Sequence, residues 1–470
     1  MTVEQIGDLP DRIITANNKP LTDGSFILVV LNRALRGEDN PVIEAAIAHG
    51  NTLKLPIVVF SELDATAHHA SDRIGYFTLG AFRELAKTLS DKNIACLQTI
   101  RKKKDDNLLG SWIPSAAAIY TDEDYTHWDR KKCDRLLKLA HQTVFTVDAS
   151  RLVPVRQLPK GLKTTPEFRK AHGALRDRYL ELRKEARSAG LKTVATNKTL
   201  EDLLPLHNFA EYTDAKLNGL VSRLDIDHTI PVSIEHPPVQ SEISDRITTL
   251  KENILKKYKW IRNNPALEYS TSELSPYLHF GMVSPHQILE AIEASEIPKS
   301  YTWKFRDEFL TWREWSHYQA FYDPKLHEYD SLPDKAKQTL EEHTQDDRPE
   351  LKSFDDILHG NTADATWNAA QKEWLNTGWL HNNLRMYWSK QILRFSESPQ
   401  KAWKTACYLN DHLSLDGRDP ATYASMQWAF GNGKPGYSEK PIYGLVAPKS
   451  DRAILKREGM KEWIEEKSSR

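Results

Sequence analysis

The chain has 470 residues, of which 40% are hydrophobic and 27% charged, a composition typical of a folded protein and not of a disordered or fibrous one. This length predicts two or three domains. The formal net charge of -1 gives no support for nucleic-acid binding by bulk attraction, so a DNA partner would require basic residues gathered on one face.

The N-terminal stretch and the cysteines bear on the compartment. The opening residues "MTVEQIGDLPDR" lack the basic start and apolar run of a secretory signal, and no run of apolar residues is long enough to span a membrane. Cys96, Cys133 and Cys407 are too widely spaced for a disulfide framework or a metal site. We therefore expect a cytoplasmic protein with no membrane partner and no metal.

The first part of the chain alternates between strand and helix patterns. Short β-branched apolar runs predict strands over 25–32, 55–62, 94–100, 116–122 and 142–149, and amphipathic spacing predicts helices over 40–51 and 73–93. This alternation predicts an α/β domain over 1–160 with a doubly wound parallel sheet. The domain has no glycine-rich phosphate loop, which disfavours a dinucleotide or triphosphate site there.

Helical patterns dominate the second half. Residues 161–245 form a mixed stretch that we interpret as a connector, and 246–470 as an all-α domain. Of the 13 Trp, 11 lie at or after Trp260. The runs 251–262 and 449–461 are basic and 341–350 is acidic, and charge runs of this kind are most often solvated faces.

Two segments of the helical half combine residues that could carry chemistry. In "YSTSELSPYLHFGMVS" (269–284), Ser and Thr precede an apolar helix, where they can cap it or bind a phosphate. In "FRDEFLTWREWSHYQAF" (305–321), Glu308 and Trp312 lie four residues apart on one helix face. A carboxylate beside an indole can sit in an apolar pocket and keep its proton. Alone, each segment is better explained as a cap or a core stripe.

A third segment has aromatic residues at a spacing of seven. Trp367, Trp374, His381, Trp388 and Phe395 would form a stripe on one helix, but Gly378 favours two packed helices instead. The turn "LDGRDP" follows, and its proline ends any helix. By themselves these features predict only a core and a loop.

Together, these strings resemble the DNA photolyase/cryptochrome family, most closely its class II cyclobutane-pyrimidine-dimer (CPD) photolyases. The flavin-phosphate motif stands as "TSELSPYLHFG", the central helices as "WNAAQKEWLNTGWLHNNLRMYWSKQIL", and the class II flavin-edge segment as "YLNDHLSLDGRDPATYASMQWAFG". In "NRALRGEDNPVI", Arg36, Asp39 and Asn40 match the family's first βα turn. "GWLHNNLRM" looks more like class I, and the end segment lacks the class II Trp and basic pair, with Tyr437 near that place.

The resemblance implies a deoxyribodipyrimidine photo-lyase, a carbon–carbon lyase. It implies light-driven repair of cyclobutane dimers in UV-damaged DNA by electron transfer from photoexcited reduced FAD to a flipped-out lesion. It further implies a monomer, nucleoid-associated if the source is prokaryotic, and a possible antenna chromophore: deazaflavin, folate, another flavin or none.

The resemblance also assigns roles residue by residue. Matches to positions that hold the FAD phosphates and ribose are Tyr258, Thr271, Ser272, Leu274 and Ser275, and matches around the isoalloxazine are Asn382, Arg385, Asp416 and Asp419. Asn410 matches the asparagine that faces flavin N5 and favours its reduced or semiquinone forms. Glu308 matches the acid that hydrogen-bonds the dimer carbonyl. Trp312 and Trp428 match the indoles that sandwich the lesion, and Arg262, Asn263 and Met386 line that pocket.

The electron-transfer chain is implied only in part. Trp388 and Trp367 match the proximal and middle indoles of the class II photoreduction chain, whereas the distal indole is replaced by Phe395. Phenylalanine is too hard to oxidise for this role, so the chain either ends early or continues through Trp374, Trp403 or a tyrosine. Repair from flavin that is already reduced does not require it.

Two other functions remain open. A cryptochrome would sense blue light without repairing DNA, but the presence of Glu308, Trp312, Trp428 and Arg262 favours a lesion pocket. Repair of the (6-4) photoproduct requires a proton-donating histidine pair, and His317 and His381 do not match its positions.

Overall fold

The computed structural model describes residues 2–196 and 208–469, which form two compact units. The sheet unit comprises Met1–Thr229, Pro237–Ser244 and Tyr277–Ala294, and the helical unit comprises Ile230–His236, Asp245–Pro276 and Ser295–Arg470. Much of the stretch predicted to be a connector thus clusters with the sheet. The domain boundaries at 160 and 245 stay a prediction.

The sheet has six strands: β1 Ile13–Thr15, β2 Phe26–Val30, β3 Ile57–Asp64, β4 Ala95–Arg101, β5 Ala116–Asp122 and β6 Val144–Val147. Their order is β1-β6-β5-β2-β3-β4. Strand β2 pairs in parallel with β3 and β5, and only β1 is antiparallel to its neighbour, β6. The predicted α/β class with a parallel sheet is confirmed. Strand β1 was missed because three residues at a sheet edge give too short a pattern.

Helices of the sheet unit follow the predicted alternation. They are Leu9–Arg12, Pro41–Leu53, Asp72–Asp91, Leu108–Trp112, His127–Leu139, Thr165–Gly173, Arg176–Ser188, Asp214–Val221 and Pro285–Glu293, with Gln240–Thr249 at a unit boundary. The long helix predicted over 73–93 begins after Ser71, whose hydroxyl accepts from the Ile74 amide. The predicted helix over 40–51 is capped by Asn40.

The first βα turn is held by its own polar side chains. Arg36 Nε donates to the Asp39 carbonyl at 2.9 Å, and its Nη2 donates to the Ala149 carbonyl at 2.8 Å. Asn40 donates to the Arg36 carbonyl at 2.8 Å and accepts from the Val42 amide. These contacts satisfy buried backbone groups, so Arg36, Asp39 and Asn40 have a structural reason to be present.

The helical unit contains Tyr258–Ile261, Lys299–Arg306, Arg313–Tyr322, Asp334–Glu342, Phe354–His359, Ala365–Thr377, Asn382–Phe395, Pro399–Leu413, Pro420–Gln427, Arg452–Leu455 and Met460–Ser469, with Ser275–His279 at a unit boundary. Three segments are π-helical: Leu250–Ile254, Asp307–Trp312 and Trp428–Asn432. A short antiparallel ribbon, β7 Pro435–Lys440 with β8 Gly444–Val446, is an addition that the sequence did not indicate. No described helix is long and apolar enough to cross a membrane.

The aromatic stripe lies on two helices, as the glycine at 378 suggested. Gly378, with a φ of 75°, ends the helix Ala365–Thr377, and His381 caps the next helix, Asn382–Phe395. Trp367 and Trp388 face each other from these two helices inside the main hydrophobic core of the unit. Packing is therefore one reason for the concentration of tryptophan here.

Candidate functional site

One buried carboxylate joins three distant parts of the helical unit. Asp416 accepts hydrogen bonds from Ser275 Oγ at 2.6 Å, Ser414 Oγ at 2.6 Å and Arg385 Nη2 at 2.8 Å. Trp379 Nε1 donates to Ser275 Oγ at 3.2 Å. Three of the residues predicted to bind FAD, Ser275, Arg385 and Asp416, are thus in direct contact.

The charges of this cluster balance each other. Burial would raise the pKa of Asp416, but the Arg385 charge and the hydrogen bonds from Ser275, Ser414 and Arg385 outweigh it and hold the pKa below its ordinary value. Arg385 also lies over the Trp374 ring, and its Nε is buried without a hydrogen-bond partner among the described residues. An unused buried donor of this kind can serve a ligand.

The predicted phosphate loop is fixed through Glu273, which the sequence did not single out. Glu273 has a φ of 49° and accepts from His236 Nε2 and from Arg246 Nη1, each at 3.1 Å. Thr271 and Ser272 directly precede it, and no side-chain hydrogen bond ties their hydroxyls to another residue of 2–196 or 208–469. The loop therefore offers two uncommitted hydroxyls on an anchored backbone.

The remaining residues predicted for FAD differ in burial. Leu274 and Tyr258 are buried, and burial together with the Glu308 charge raises the pKa of Tyr258. Asp419 caps the helix Pro420–Gln427 through the Ala421 amide, and Asn382 is an exposed first residue of its helix. These positions carry side chains able to bind a ligand, but no direct contact links Asn382 to the Asp416 cluster.

Asn410 is fully enclosed next to this cluster. Its Nδ2 donates to the Ala406 carbonyl at 2.8 Å and contacts Met426 Sδ at 3.8 Å. Its own carbonyl accepts from the Ser414 amide at 3.3 Å, which connects it to the turn that carries Asp416. The structure therefore connects Asn410 to the turn that carries Asp416, on a helix that fixes its side chain.

Glu308 is not in an apolar pocket, and this expectation was wrong. Its carboxylate is 2.7 Å from Lys304 Nζ and 3.1 Å from Arg262 Nη2. Two cations therefore adjoin the carboxylate in place of a purely apolar surrounding. Lys304 lies one helical turn before Glu308, and Arg262 follows the helix Tyr258–Ile261. The result is a cluster of one acid between two hydrogen-bond donors.

The two predicted lesion indoles meet at a corner. The Trp312 and Trp428 rings are 5.6 Å apart between centroids at an interplanar angle of 86°. A base stacked between the two indoles would require parallel rings with a gap between them, whereas these rings are nearly perpendicular. The two rings therefore form a corner, in which each offers one face to a ligand. Trp428 is 43% exposed, and the Cα of Gly433 packs against its ring, where a Cβ would lie 3.1 Å from it.

Both indoles belong to π-helical segments. Trp312 ends Asp307–Trp312, which also carries Glu308, and Trp428 begins Trp428–Asn432. A π turn rotates the following side chains relative to an α-helix, and such turns are frequent at functional sites. Glu308 and Trp312 remain about one turn apart on the same face.

Asn263 and Met386 complete the predicted pocket lining. The Asn263 carbonyl accepts from Asn383 Nδ2 at 2.6 Å, which ties the segment after Arg262 to the start of the helix that carries Met386. Met386 is partly buried against the main core of the unit. Both are thus attached to the same helix as Arg385.

The predicted electron-transfer residues form one buried aromatic cluster. Trp367 and Trp388 stack at 5.6 Å and 13°, Trp374 meets Trp388 edge-on at 5.1 Å, and Phe395 meets Trp367 edge-on at 5.2 Å. All four rings are fully buried. Trp403 contacts Tyr329 and Phe430 instead, so Trp374 is the indole that extends this pair.

His381 makes stability depend on pH. Burial lowers its pKa to about 3 from 6.5, with Lys449 and Arg262 acting in the same direction and Glu273 opposing them. The unfolded chain then binds a proton that the folded chain does not, so stability falls as pH drops from 6.5 towards 3. Between pH 7 and pH 5 we expect a loss of about 2 kcal/mol from this group.

The variant His381→Asn keeps a helix cap and removes this titration. Urea unfolding at pH 7 and pH 5, followed by tryptophan fluorescence, should show a smaller acid-induced loss for the variant. His286, whose pKa burial also lowers to about 3, contributes equally to both proteins. Equal losses in the wild type and the variant would contradict the prediction.

Comparison with known proteins shows which family this chain resembles. A family model described as DNA photolyase matches residues 27–192. A deoxyribodipyrimidine photo-lyase from Methanothermobacter thermautotrophicus is 28% identical over 97% of this chain and 97% of its own length. A protein of the same name from Potorous tridactylus is 35% identical over 49% of this chain and 43% of its own length. The chain is therefore similar to members of the DNA photolyase/cryptochrome family, over nearly its whole length in one case.

Solved structures of photolyases and cryptochromes share the fold. An archaeal photolyase from Sulfolobus tokodaii, solved with two FAD molecules, has a TM-score of 0.62 at 17% identity and is matched over 94% of this chain and 90% of that one. A cryptochrome from Synechocystis has a TM-score of 0.61 at 15% identity over 93% and 88%. Identities this low show the fold alone, and they confirm the predicted α/β plus helical architecture.

The predicted resemblance to the family is confirmed, and the prediction of an enzyme agrees with the photo-lyase name of the relatives. The class II assignment and the type of dimer stay predictions. The roles of Asp416 and Glu308 are predictions of the same kind, although the structure gives each a defined set of contacts.

Proposed function

We propose that this chain repairs cyclobutane pyrimidine dimers in DNA with light, as a class II photolyase bearing FAD. One observation carries the proposal: two indoles meet at a right angle, one of them half-exposed, next to an acid flanked by two cations. Two perpendicular aromatic faces beside hydrogen-bond donors suit two linked pyrimidines of one strand that have left the duplex, each with polar groups along its edge.

FAD fits the residues around Asp416. The uncommitted hydroxyls of Thr271 and Ser272 can bind phosphate oxygens, and the unpartnered Nε of Arg385 can donate to the ring edge. Asp416 keeps Arg385 in place, and enclosed Asn410 offers an amide that has no freedom to turn away. When reduced and excited by blue light, the bound flavin supplies the electron for dimer cleavage.

The protein's part in lesion recognition is to stabilise the extruded dimer. Extrusion costs a few kcal/mol, and less for a damaged pair that is already poorly stacked. Each base stacked on an aromatic face recovers roughly 1–3 kcal/mol. Trp312 and Trp428 present one face each, so the two bases of a dimer, which are joined and not coplanar, match a corner better than a slot.

Glu308 and its cations act as one unit on the dimer. The carboxylate orients Lys304 Nζ and Arg262 Nη2 by accepting from both. Negative charge that develops on a dimer carbonyl oxygen is then close to donors that do not have to reorganise, which lowers the barrier. Tyr258 is buried and its side chain interacts with Arg262, which limits the movement of that arginine.

Single-turnover repair with flavin reduced in advance tests this role. Glu308→Ala is expected to slow light-driven dimer cleavage by roughly a hundredfold, because one preorganised group of this kind is worth about that factor. Phe395→Trp should leave the repair rate unchanged, since repair begins from reduced flavin. A wild-type rate in Glu308→Ala would contradict the assigned role.

The Phe395→Trp control must be measured well below its unfolding temperature. Phe395 is fully enclosed against Trp367, so a larger ring is expected to cost about 1–3 kcal/mol of stability through overpacking. Far-UV circular dichroism of the variant at the assay temperature checks that this cost has not unfolded it.

The finer assignments rest on sequence strings. Class II follows from "YLNDHLSLDGRDPATYASMQWAFG" and from Asn410 within it. An antenna such as deazaflavin or folate, action as a monomer, and association with the nucleoid if the source is prokaryotic are part of the same proposal. Chromatography of chromophores released from the purified protein tests the antenna.

A further inference from the structure

Three aromatic side chains are exposed on two packed helices of the helical unit. Trp260 on the helix Tyr258–Ile261 is 63% exposed, and Tyr301 and Trp303 on the helix Lys299–Arg306 are each 45% exposed. The Trp260 and Tyr301 rings are 6.4 Å apart, and Tyr258 packs on Phe305 beneath them at 5.1 Å. Large exposed rings clustered on a rigid support are typical of a binding surface.

Lysines are interleaved with these rings. Lys259 Nζ is 5.7 Å from the Trp260 centroid and 5.8 Å from the Trp303 centroid, and Lys304 Nζ is 5.8 Å from Trp303 on the other side. Lys256, Lys257 and Lys299 are also exposed, and within the described part of the chain no carboxylate pairs with them. The basic run 251–262 is therefore more than a solvated face, because its charges surround aromatic rings.

This surface continues into the proposed lesion site. Lys304, which contacts Trp303, also contacts the Glu308 carboxylate at 2.7 Å. Arg262, two residues after Trp260, contacts Glu308 from the other side at 3.1 Å. A strand entering the corner of Trp312 and Trp428 would therefore reach these rings without leaving the protein surface. We call Lys259, Trp260, Tyr301 and Trp303 the aromatic–lysine patch.

We propose that the aromatic–lysine patch binds a single DNA strand next to the lesion, with unpaired bases stacked on its rings and phosphates paired with its lysines. The inference rests on the proposed function and deepens it. Rings can stack only on bases whose faces are accessible, which a duplex does not offer. Alternating rings and cations are the means by which proteins bind single strands without regard to sequence.

Charge distinguishes this occupant from a second copy of the chain. Self-association through the patch would bring unpaired Lys256, Lys257, Lys259 and Lys299 of one copy against those of another. A DNA strand supplies the opposite charge at every phosphate. The patch should therefore make the protein prefer a lesion in single-stranded DNA, or in a duplex opened beside the lesion.

The test compares wild type with Trp260→Ala/Trp303→Ala, and with Phe354→Ala as the control, since Phe354 is also 45% exposed but lies on the helix Phe354–His359 outside the patch. Binding is measured in the dark to an undamaged single strand, and to dimer-containing single strand and duplex. We expect the double variant to bind both single strands at least about thirtyfold more weakly, because each of the two rings contributes roughly 1–3 kcal/mol of stacking. We expect a much smaller change with the closed duplex.

A second variant separates charge from stacking. Lys259→Gln should reduce the slope of log affinity against log salt concentration by about one. Bound bases should still quench the tryptophan fluorescence of this variant, because its rings are unchanged. Unchanged single-strand affinity in the double variant would overturn the proposal, as would an equal loss with the closed duplex. If the wild-type protein were a homodimer in solution and the double variant a monomer, the patch would be an interface between two copies of the chain, and this too would overturn the proposal.

The results of these experiments distinguish failure of the proposed repair function from failure of the patch assignment. If the wild type binds an undamaged single strand through the patch but splits no dimers in light, the proposed repair function is wrong, whereas the proposal of single-strand binding is supported. If the wild type repairs dimers and the double variant binds single strands like the wild type, only the patch assignment is wrong.

Discussion

Replacing Trp428 with alanine is expected to weaken binding of dimer-containing DNA by roughly tenfold or more, because the stacking of one base is worth about 1–3 kcal/mol. The ring forms one wall of the corner with Trp312 and is 43% exposed, so little of the folding free energy should depend on it. Titration of labelled DNA with and without a dimer, in the dark, measures the effect.

Undamaged DNA serves as the internal control for Trp428→Ala, since its affinity should change much less. Trp428→Phe should recover part of the lost affinity, because phenylalanine keeps an aromatic face against Gly433. If Trp428→Ala bound the dimer as tightly as the wild type, the corner would not be the lesion site. A loss equal for damaged and undamaged DNA would point to a general contact instead.

Replacing Asp416 with alanine is expected to cost about 3–5 kcal/mol of stability and to abolish flavin retention. The change leaves the largely buried Arg385 without its carboxylate and leaves the Ser275 and Ser414 hydroxyls without an acceptor. Urea unfolding and the flavin-to-protein absorbance ratio measure the two losses.

A double-mutant cycle of Asp416→Leu with Arg385→Met separates the ion pair from the space it occupies. Because both charges disappear together, the double variant should be more stable than the Asp416→Leu single variant. It should still lack flavin, since the proposed donor to the ring is gone. Full flavin retention by Asp416→Ala would show that the cofactor lies elsewhere.

The sequence predicts the regular parts of this molecule well. The five strands β2 to β6 each contain a short β-branched or apolar run, and the helix Asp72–Asp91 has a clear amphipathic period, so local patterns and tertiary structure agree. The stop at Gly378 was also predictable, because a residue in the left-handed region after thirteen helical residues favours glycine.

The geometry of the candidate site was less predictable. Arg262 and Glu308 are 46 positions apart, and only the packing of the helices Tyr258–Ile261 and Lys299–Arg306 brings them together. Lys304, by contrast, is four residues before Glu308 on the same helical rod, and this spacing could have indicated the ion pair.

The π turn Asp307–Trp312 and the Asp416 cluster had no local sequence signal. A π turn inserts one residue into a helix through tertiary packing, and Asp307–Trp312 does not differ in composition from an ordinary helix. Trp428–Asn432, by contrast, contains Gly431, which has a non-helical φ of 119°. Asp416 collects Ser275, Arg385 and Ser414 from three segments, and a single sequence contains no information on such a meeting except by resemblance.

The most direct measurement is dimer loss by the purified wild type with its flavin reduced, in blue light and in the dark. UV-irradiated oligothymidylate is the substrate, and the return of thymine absorbance reports repair. We expect the dimers to disappear in the light when the flavin is reduced. They should persist in the dark, and in the light when the flavin is oxidised. A yellow, folded protein that leaves the dimers intact in the light would contradict it and favour a photoreceptor.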